Sequence, residues 1–144
     1  EIFAAFADFY ELAGDVVEAS GGTVVKFIGD AGLLAWPADR VDAGVRALQQ
    51  LRNEGDAWWR SRDAACRVIV KAHFGSVTCG AIGTQASKRF DLFGDVVNTA
   101  ALLRSDGLAL TPQVFRKLDP ETRRLFKKHT PPITYIPVDQ AHRD

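Results

Sequence analysis

The 144-residue sequence predicts one α+β domain, a sandwich of helices packed around one sheet. Apolar residues at helical spacing give way to short β-rich runs, and this alternation continues along the chain. Glycine-bearing breaks separate neighbouring β-rich runs, which predicts hairpins. The composition, 47% hydrophobic and 25% charged, is that of an ordinary globular domain with one sizeable core.

The first predicted elements are a helix and a hairpin. The apolar positions that predict the helix recur every three or four residues, at Ile2, Phe6, Phe9, Ala13 and Val16. A Gly-Gly pair at residues 21–22 ends the helix. Residues 23–28 and 33–36 are then the strands of a hairpin, with Gly29 and Asp30 at its tight tip.

A second helix and a second strand pair are predicted next. Asp39 is expected to cap a helix whose buried face is formed by Val41, Val45, Leu48 and Leu51. Residues 52–65 contain many charges and two adjacent tryptophans, and we expect a connection there. Residues 67–74 predict a strand, and residues 77–82 predict its antiparallel partner.

The C-terminal half is predicted to alternate short strands and helices. A strand at residues 89–93 precedes a helix at residues 96–104. Thr-Pro at residues 111–112 and Asp-Pro at residues 119–120 each predict a helix start, because proline is favoured at the first helical position. Residues 133–138 predict a closing edge strand, since their internal proline has no N–H to donate.

Charge and cysteine content argue against several classes of function. Eighteen basic and eighteen acidic residues leave no net charge, which disfavours broad nucleic-acid binding. Cys66 and Cys79 have neither metal-site nor disulfide-framework spacing, so we expect a reducing, cytoplasmic location. No apolar run reaches the ~20 residues that a membrane span requires. The lack of methionine and the start at Glu1 inside a helix-like stretch suggest a piece of a longer protein.

Two glycine-bearing segments place polar residues at the ends of apolar strands. In the first, the Asp30 carboxylate at a tight tip suits Mg²⁺, which proteins usually hold through one or two carboxylates plus substrate phosphates. In the second, Asp91 precedes a helix whose N-terminus would suit a phosphate, and Asn98 lies in its first turns. Considered separately, each segment is explained better as an ordinary turn or a set of exposed polar residues.

Considered together, three ordered motifs resemble the catalytic domain of the class III nucleotidyl cyclases, the adenylate and guanylate cyclases. The motifs are Lys26-Phe-Ile-Gly-Asp30, His73-Phe-Gly-Ser-Val-Thr-Cys-Gly-Ala-Ile-Gly83 and Asp91-Leu-Phe-Gly-Asp-Val-Val-Asn98-Thr-Ala. The resemblance runs from about residue 1 to residue 138. It implies a ferredoxin-like α/β sandwich of the cyclase type. Residues 1–144 would be a single catalytic domain, N-terminally truncated and without the family's first strand.

The resemblance also implies a reaction and a set of site residues. In such cyclases the ribose 3′-hydroxyl of a nucleoside triphosphate attacks the α-phosphate, two Mg²⁺ or Mn²⁺ ions assist, and pyrophosphate leaves. Asp30 matches a metal ligand, and Asn98 matches the asparagine that orients the ribose. Lys26 and Asp91 match the pair that reads adenine, whose N1 accepts a hydrogen bond and whose exocyclic amine donates one. The implied protein is an adenylate cyclase of signal transduction that uses ATP and forms homodimers with sites at the interface.

Departures from the family pattern leave a second hypothesis open. Leu102 stands where the family has a transition-state arginine, one turn after Asn98, and Arg104 is rotated by roughly 120° from Asn98. Asp8 mimics the first metal aspartate, but the helical period of its segment argues against that role. The alternative is therefore a weak or inactive cyclase-like module that binds nucleotide, dimerises and has a regulatory role. An RNA-binding ferredoxin-like domain is disfavoured, because the expected pattern of aromatic and basic residues is lacking.

A basic cluster near the C-terminus contains one further candidate. Lys127 or Lys128 matches, loosely, the phosphate-binding lysine that precedes the family's last strand. In the other interpretation, a solvated helix face is formed by Arg123, Arg124, Lys127 and Lys128. We expect at least three of the four to have only that second role.

Overall fold

The computed structural model describes residues 1–143, which form an α+β fold and confirm the predicted class. In chain order the elements are α1 (Ile2–Ala19), β1 (Thr23–Ile28), β2 (Ala31–Ala35), α2 (Val41–Arg60), β3 (Val70–Ala72), β4 (Thr78–Gly83), β5 (Lys88–Phe93), α3 (Asp95–Leu102), β6 (Leu108–Leu110), α4 (Pro112–Phe115), α5 (Pro120–Arg123), β7 (Phe126–His129) and β8 (Thr134–Pro137). A short 3₁₀ turn, Ala38–Arg40, precedes α2.

A four-stranded sheet in the order β3-β6-β8-β7 lies at the centre of the fold. Strand β3 runs parallel to β6, and β8 runs antiparallel to both β6 and β7. The pairs β1–β2 and β4–β5 form two separate antiparallel hairpins, so the described strands make three sheets and not the single sheet predicted. All three residues of β6 are apolar and buried, which places this strand in the core.

Helix α2 covers the central sheet and also contacts α1. The core against the sheet includes Val45, Leu48, Leu108, Leu110 and Val114. A second buried cluster joins α1 to α2 through Ala13, Val16, Ala47 and Leu51. Each fully buried leucine or valine stabilises the fold by roughly 1.5–3 kcal/mol relative to an exposed one. The two helices predicted from apolar periodicity are therefore confirmed. Most of the predicted apolar positions are buried or half-buried, but Ile2 at the start of α1 is 60% exposed.

The prediction that residues 52–65 form a connection is wrong, because α2 continues to Arg60. Its four-residue apolar spacing continues through Leu51, Gly55 and Trp59, which are all buried. Trp59 is 2% exposed and packs against two aromatic rings of α1, those of Phe6 and Phe9. The charged residues of this segment occupy the outer face of an amphipathic helix.

The start of α2 also differs from the prediction. Asp39 does not cap the helix, because it lies inside the 3₁₀ turn, and Arg40 occupies the N-cap position without a side-chain hydrogen bond. Asp42 in the first turn instead accepts hydrogen bonds from the Asp119 backbone N–H at 2.9 Å and the Thr122 hydroxyl at 3.0 Å. This carboxylate therefore connects α2 to the start of α5.

The predicted pairing of residues 67–74 with residues 77–82 is wrong. Only Val70–Ala72 of the first segment forms a strand, and its partner is the buried β6. The second segment pairs with β5, with Thr78 opposite Phe93 and Gly83 opposite Lys88. Burial explains the difference, because β3 is partly buried beside β6, whereas every residue of β4 is exposed.

The C-terminal strand was predicted at the edge of the sheet, but β8 lies between β6 and β7. Its proline, Pro137, is tolerated because it is the last residue of the strand, opposite Phe126. The basic cluster is also misassigned as a helix face, since α5 ends at Arg123 and the two lysines lie on β7.

The remaining short elements follow the prediction. Helix α3 ends at Leu102, two residues before the predicted end, and both α4 and α5 have proline at their N-terminal positions. Neither Thr111 nor Asp119 forms a side-chain capping hydrogen bond. Across residues 1–143, none of the helices is both long enough and apolar enough to cross a membrane.

Candidate active site

The β1–β2 hairpin presents Asp30 at its tip, as predicted. The last strand pair is Ile28 opposite Ala31, so Gly29 and Asp30 form a two-residue turn. Gly29 has a φ of 59°, a left-handed conformation that glycine adopts without steric cost. Asp30 is exposed at this turn. Its carboxylate is therefore accessible to a ligand from solvent.

Lys26 and Asp91 form an ion pair between β1 and β5. The Lys26 Nζ donates to Asp91 Oδ2 at 2.8 Å, and the side chains are 25% and 11% exposed. The second carboxylate oxygen, Oδ1, accepts the Leu92 backbone N–H at 2.8 Å. A register shift in β1 lies between Val24 and Lys26. The structure thus joins two residues that are 65 positions apart in sequence.

The Asp91 carboxylate is held in its ionised form. The hydrogen bond from Lys26 is the largest influence that lowers its pKa, and the Leu92 N–H lowers it further, while burial acts in the opposite direction. The site therefore presents an ammonium donor directly beside a carboxylate acceptor at neutral pH. This pairing suits an edge of a ligand that contains an acceptor next to a donor.

Asn98 lies on α3, which begins after Gly94. Gly94 has a φ of 134°, which lets the chain turn from β5 into the helix. Asn98 is exposed, and Leu102, one turn later, is 84% exposed. The helix end is held by a contact that the sequence did not reveal, in which Lys71 Nζ donates to the Ala101 carbonyl at 2.8 Å.

The described residues supply one carboxylate for a cation at the hairpin tip. Within residues 1–143 no group of three or more His, Cys, Asp or Glu side chains is placed to hold a metal ion. Asp30 has no hydrogen-bond partner among the described side chains, so its lone pairs are free. A single exposed carboxylate fits an ion that a nucleotide brings with its phosphates, which is the usual protein environment of Mg²⁺.

Lys127 lies on β7, where it pairs with Ile136 of β8. It is half-buried, and none of the described hydrogen bonds connects its side chain to Lys26, Asp91 or Asp30. Lys128 is its exposed neighbour on the same strand. Of the residues predicted for the site, the structure therefore joins Lys26 and Asp91 by direct contact, and it places the others on separate elements.

Two contacts near these elements could not be predicted from the sequence. The His73 Nδ1 lies 2.9 Å from the Thr111 hydroxyl, which connects the end of β3 to the start of α4. The His129 Nδ1 lies 2.7 Å from the His142 Nδ1, which holds the C-terminal segment against β7. Neither pair has a sequence spacing that predicts contact, because each forms only when separate segments of the fold meet.

The fold and its motifs define the catalytic domain of a nucleotidyl cyclase. Residues 1–129 match the family described as the adenylate and guanylate cyclase catalytic domain, and the chain belongs to this family. Adenylate cyclase 2 of Rhizobium meliloti (strain 1021) is 29% identical over 140 residues, which cover 92% of this chain and 35% of that protein. The chain thus spans little more than a third of that relative.

Solved structures of cyclases share the fold. A bacterial light-regulated adenylyl cyclase superposes with a TM-score of 0.78 at 21% identity, over 95% of this chain and 45% of that chain. The guanylate cyclase domain of RhGC from Catenaria anguillulae, in complex with GTP, superposes with a TM-score of 0.73 at 17% identity, over 93% and 81% of the two chains. Because adenylate and guanylate cyclases both share this fold, the fold does not distinguish an adenine from a guanine nucleotide as substrate. These similarities show a ferredoxin-like fold of the cyclase type.

Proposed function

We propose that this domain is of the adenylate cyclase type and converts ATP to 3′,5′-cyclic AMP and pyrophosphate. The observation that carries the proposal is the Lys26–Asp91 pair. It places a donor and an acceptor 2.8 Å apart on neighbouring hairpins, with Asp91 largely buried. A base bound there would meet both groups at one edge.

The chemistry of this pair favours adenine over guanine. Lys26 has three N–H donors and uses one on Asp91, so a donor remains for adenine N1. The Asp91 carboxylate has lone pairs left for the exocyclic amine of adenine. Guanine has an N–H and a carbonyl at the corresponding positions, so its carbonyl would face a carboxylate. A site built from buried polar groups discriminates strongly against such a mismatch.

The reaction is an intramolecular phosphoryl transfer. The ribose 3′-hydroxyl oxygen forms a bond to the α-phosphorus, the bond to the bridging oxygen of the β-phosphate breaks, and the hydroxyl proton is released. In the proposed site Asn98 would orient the ribose, Lys127 would bind phosphate, and Asp30 would supply a carboxylate ligand for Mg²⁺ or Mn²⁺. When bound, such ions activate the attacking oxygen and neutralise phosphate charge.

The proposed assembly is a homodimer with sites at the interface. Its support is the β4–β5 hairpin, on which every residue of β4 is exposed and Ile82, Phe90 and Phe93 are 51%, 45% and 41% exposed. These apolar side chains lie on the hairpin that also bears Asp91, and they form the surface that a second copy would cover. The free thiols Cys66 and Cys79 are consistent with a cytoplasmic location.

A direct assay of product formation tests the proposal. The 144-residue chain, incubated with Mn²⁺ and ATP, is expected to release cyclic AMP and pyrophosphate in equal amounts. Lys26→Ala should lower kcat/KM for ATP, whereas Lys117→Ala, the same change at an exposed lysine between α4 and α5, should not. No cyclic AMP at any protein concentration would overturn catalysis by this chain.

A second candidate function is a weakly active or silent cyclase-like module that binds nucleotide and dimerises. Its support is Leu102, which occupies the position of the family's transition-state arginine and is 84% exposed. Loss of a donor aimed at developing negative charge typically lowers kcat by about 10²–10³-fold. A large gain in turnover by Leu102→Arg would identify a site that is otherwise intact, and no gain would favour the silent module.

A further inference from the structure

The turn that contains Asp30 is held by a residue outside the cyclase motifs. We propose that Tyr10 is a positioning residue that fixes the Gly29–Asp30 peptide and so holds the Asp30 carboxylate in place for a divalent cation. This inference rests on the role proposed for Asp30. A ligand on an exposed loop needs such support, because functional groups must be held within about 0.5 Å of the productive geometry.

The first support is the hydrogen bond from the Tyr10 hydroxyl to the Gly29 carbonyl. That carbonyl belongs to the planar peptide group that joins Gly29 to Asp30. A donor bound to it therefore restricts rotation of the peptide plane immediately before Asp30. Gly29 has a φ of 59° and no side chain, so the hydrogen bond from Tyr10 adds a constraint to that of the strand pair Ile28–Ala31.

The second support is the stacking of Tyr10 on Phe27. Their ring centroids are 3.8 Å apart and the rings are inclined by 7°. Phe27 pairs with Gly32 across the hairpin, and a Cβ at position 32 would lie 3.0 Å from the Phe27 ring. The glycine thus leaves room for the ring. Tyr10, on α1, therefore contacts both the strand and the turn of the hairpin.

The chain offers a matched control for the hydroxyl group. It contains two tyrosines, and the second, Tyr135 of β8, is stacked on Phe115 with centroids 3.7 Å apart and an inclination of 7°. Tyr10→Phe and Tyr135→Phe each remove one hydroxyl from a stacked Tyr–Phe pair. Only the first change removes a hydrogen bond to the Asp30 turn.

Hydrogen exchange of the whole chain tests the positioning role without any metal. Tyr10→Phe is expected to accelerate exchange of the amides at residues 28–31 by about 3- to 10-fold, the effect of one lost hydrogen bond. Tyr135→Phe should leave those amides unchanged. Equal exchange at residues 28–31 in the two variants would overturn the inference.

Binding of Mn²⁺, followed by electron paramagnetic resonance in the presence of 3′-deoxy-ATP, tests the consequence for the cation. We expect Tyr10→Phe to weaken Mn²⁺ binding by about 10-fold, the lower end for residues that orient a ligand, and Asp30→Asn to weaken it further. Tyr135→Phe should bind as the wild type does. Wild-type affinity in Tyr10→Phe, or no Mn²⁺ binding by the wild type, would overturn the inference.

The two proposals fail in different ways. If the wild type releases no cyclic AMP but Tyr10→Phe loosens the turn and weakens Mn²⁺ binding, the proposed catalysis fails and the positioning role stands. If cyclic AMP forms and Tyr10→Phe changes neither measurement, the positioning role fails and the catalytic proposal stands.

Discussion

Asp91 is the residue with the most specific surroundings in the candidate site. Its two carboxylate oxygens each accept one hydrogen bond, one from Lys26 and one from the Leu92 N–H. The sequence indicated Asp91 and Lys26 through their motifs, but their direct contact depends on how the two hairpins meet. Motif positions could therefore be predicted from the sequence, whereas the ion pair required the fold.

The lowered pKa of Asp91 predicts acid sensitivity of the fold. Because the folded-state pKa lies below the value of about 3.9 in an unfolded chain, the pair stabilises the fold above that value, and the effect is lost as the pH falls through the folded pKa. The free energy of unfolding should thus fall on acidification below pH ~4. Asp91→Asn should flatten this fall, as measured by urea unfolding at several pH values. An equal slope in Asp91→Asn would contradict the assignment.

At the scale of elements, apolar periodicity predicted well and local charge predicted poorly. The apolar spacing of α1 and α2 identified both helices and most of the residues that they bury, but the charges of residues 52–65 concealed the second half of α2. Strand partners were predicted less well, because β3 selects the distant and buried β6 over its sequence neighbour β4. Pairing of distant strands depends on burial in three dimensions, which local spacing does not encode.

The aromatic contact between α1 and the second half of α2 predicts a large loss of stability when the Trp59 side chain is removed. Trp59 is 2% exposed and its ring lies 5.0 Å from Phe6 and 5.4 Å from Phe9. Trp59→Ala should lower the free energy of unfolding by about 3–5 kcal/mol. The adjacent Trp58, which is only half-buried, is the control, and Trp58→Ala should cost less. Similar losses in both variants would show that the packing of α2 differs from that described.

The histidine pair between β7 and the C-terminal segment predicts a second pH dependence. The pKa of His129 is lowered, and burial is the largest cause. The positive charges of Arg143, His142 and Lys127 lower this pKa further, whereas the negative charge of Asp106 raises it. Because the folded-state pKa of His129 is lowered, the fold is more stable when this histidine is neutral. The free energy of unfolding therefore decreases as the pH falls below about 6.5, the ordinary histidine pKa. Denaturant unfolding measured from about pH 7.5 to about pH 5.5, about one unit on either side of the ordinary histidine pKa, should show a smaller loss of stability in His129→Gln. An unchanged slope in His129→Gln would contradict the prediction.

At the scale of the whole molecule, the exposed β4–β5 hairpin predicts self-association. The apolar side chains on this hairpin remain uncovered in the single chain. Sedimentation should detect dimers that Ile82→Asp converts to monomers. Ile69→Asp, at an isoleucine that is 41% exposed just before β3, should leave the dimer intact. A wild-type monomer at all concentrations, or equal effects of both changes, would contradict the proposed assembly.

The selection of adenine by Lys26 and Asp91 is tested most directly by calorimetric measurement of the binding of 3′-deoxy-ATP and 3′-deoxy-GTP. Neither analogue has the attacking hydroxyl, so binding is measured without turnover. The wild type is expected to bind the adenine nucleotide at least about 10-fold more tightly, and Asp91→Asn should reduce that ratio because the amide N–H groups no longer match the adenine amine. Equal affinity of the wild type for the two nucleotides, or a ratio unchanged in Asp91→Asn, would contradict the account.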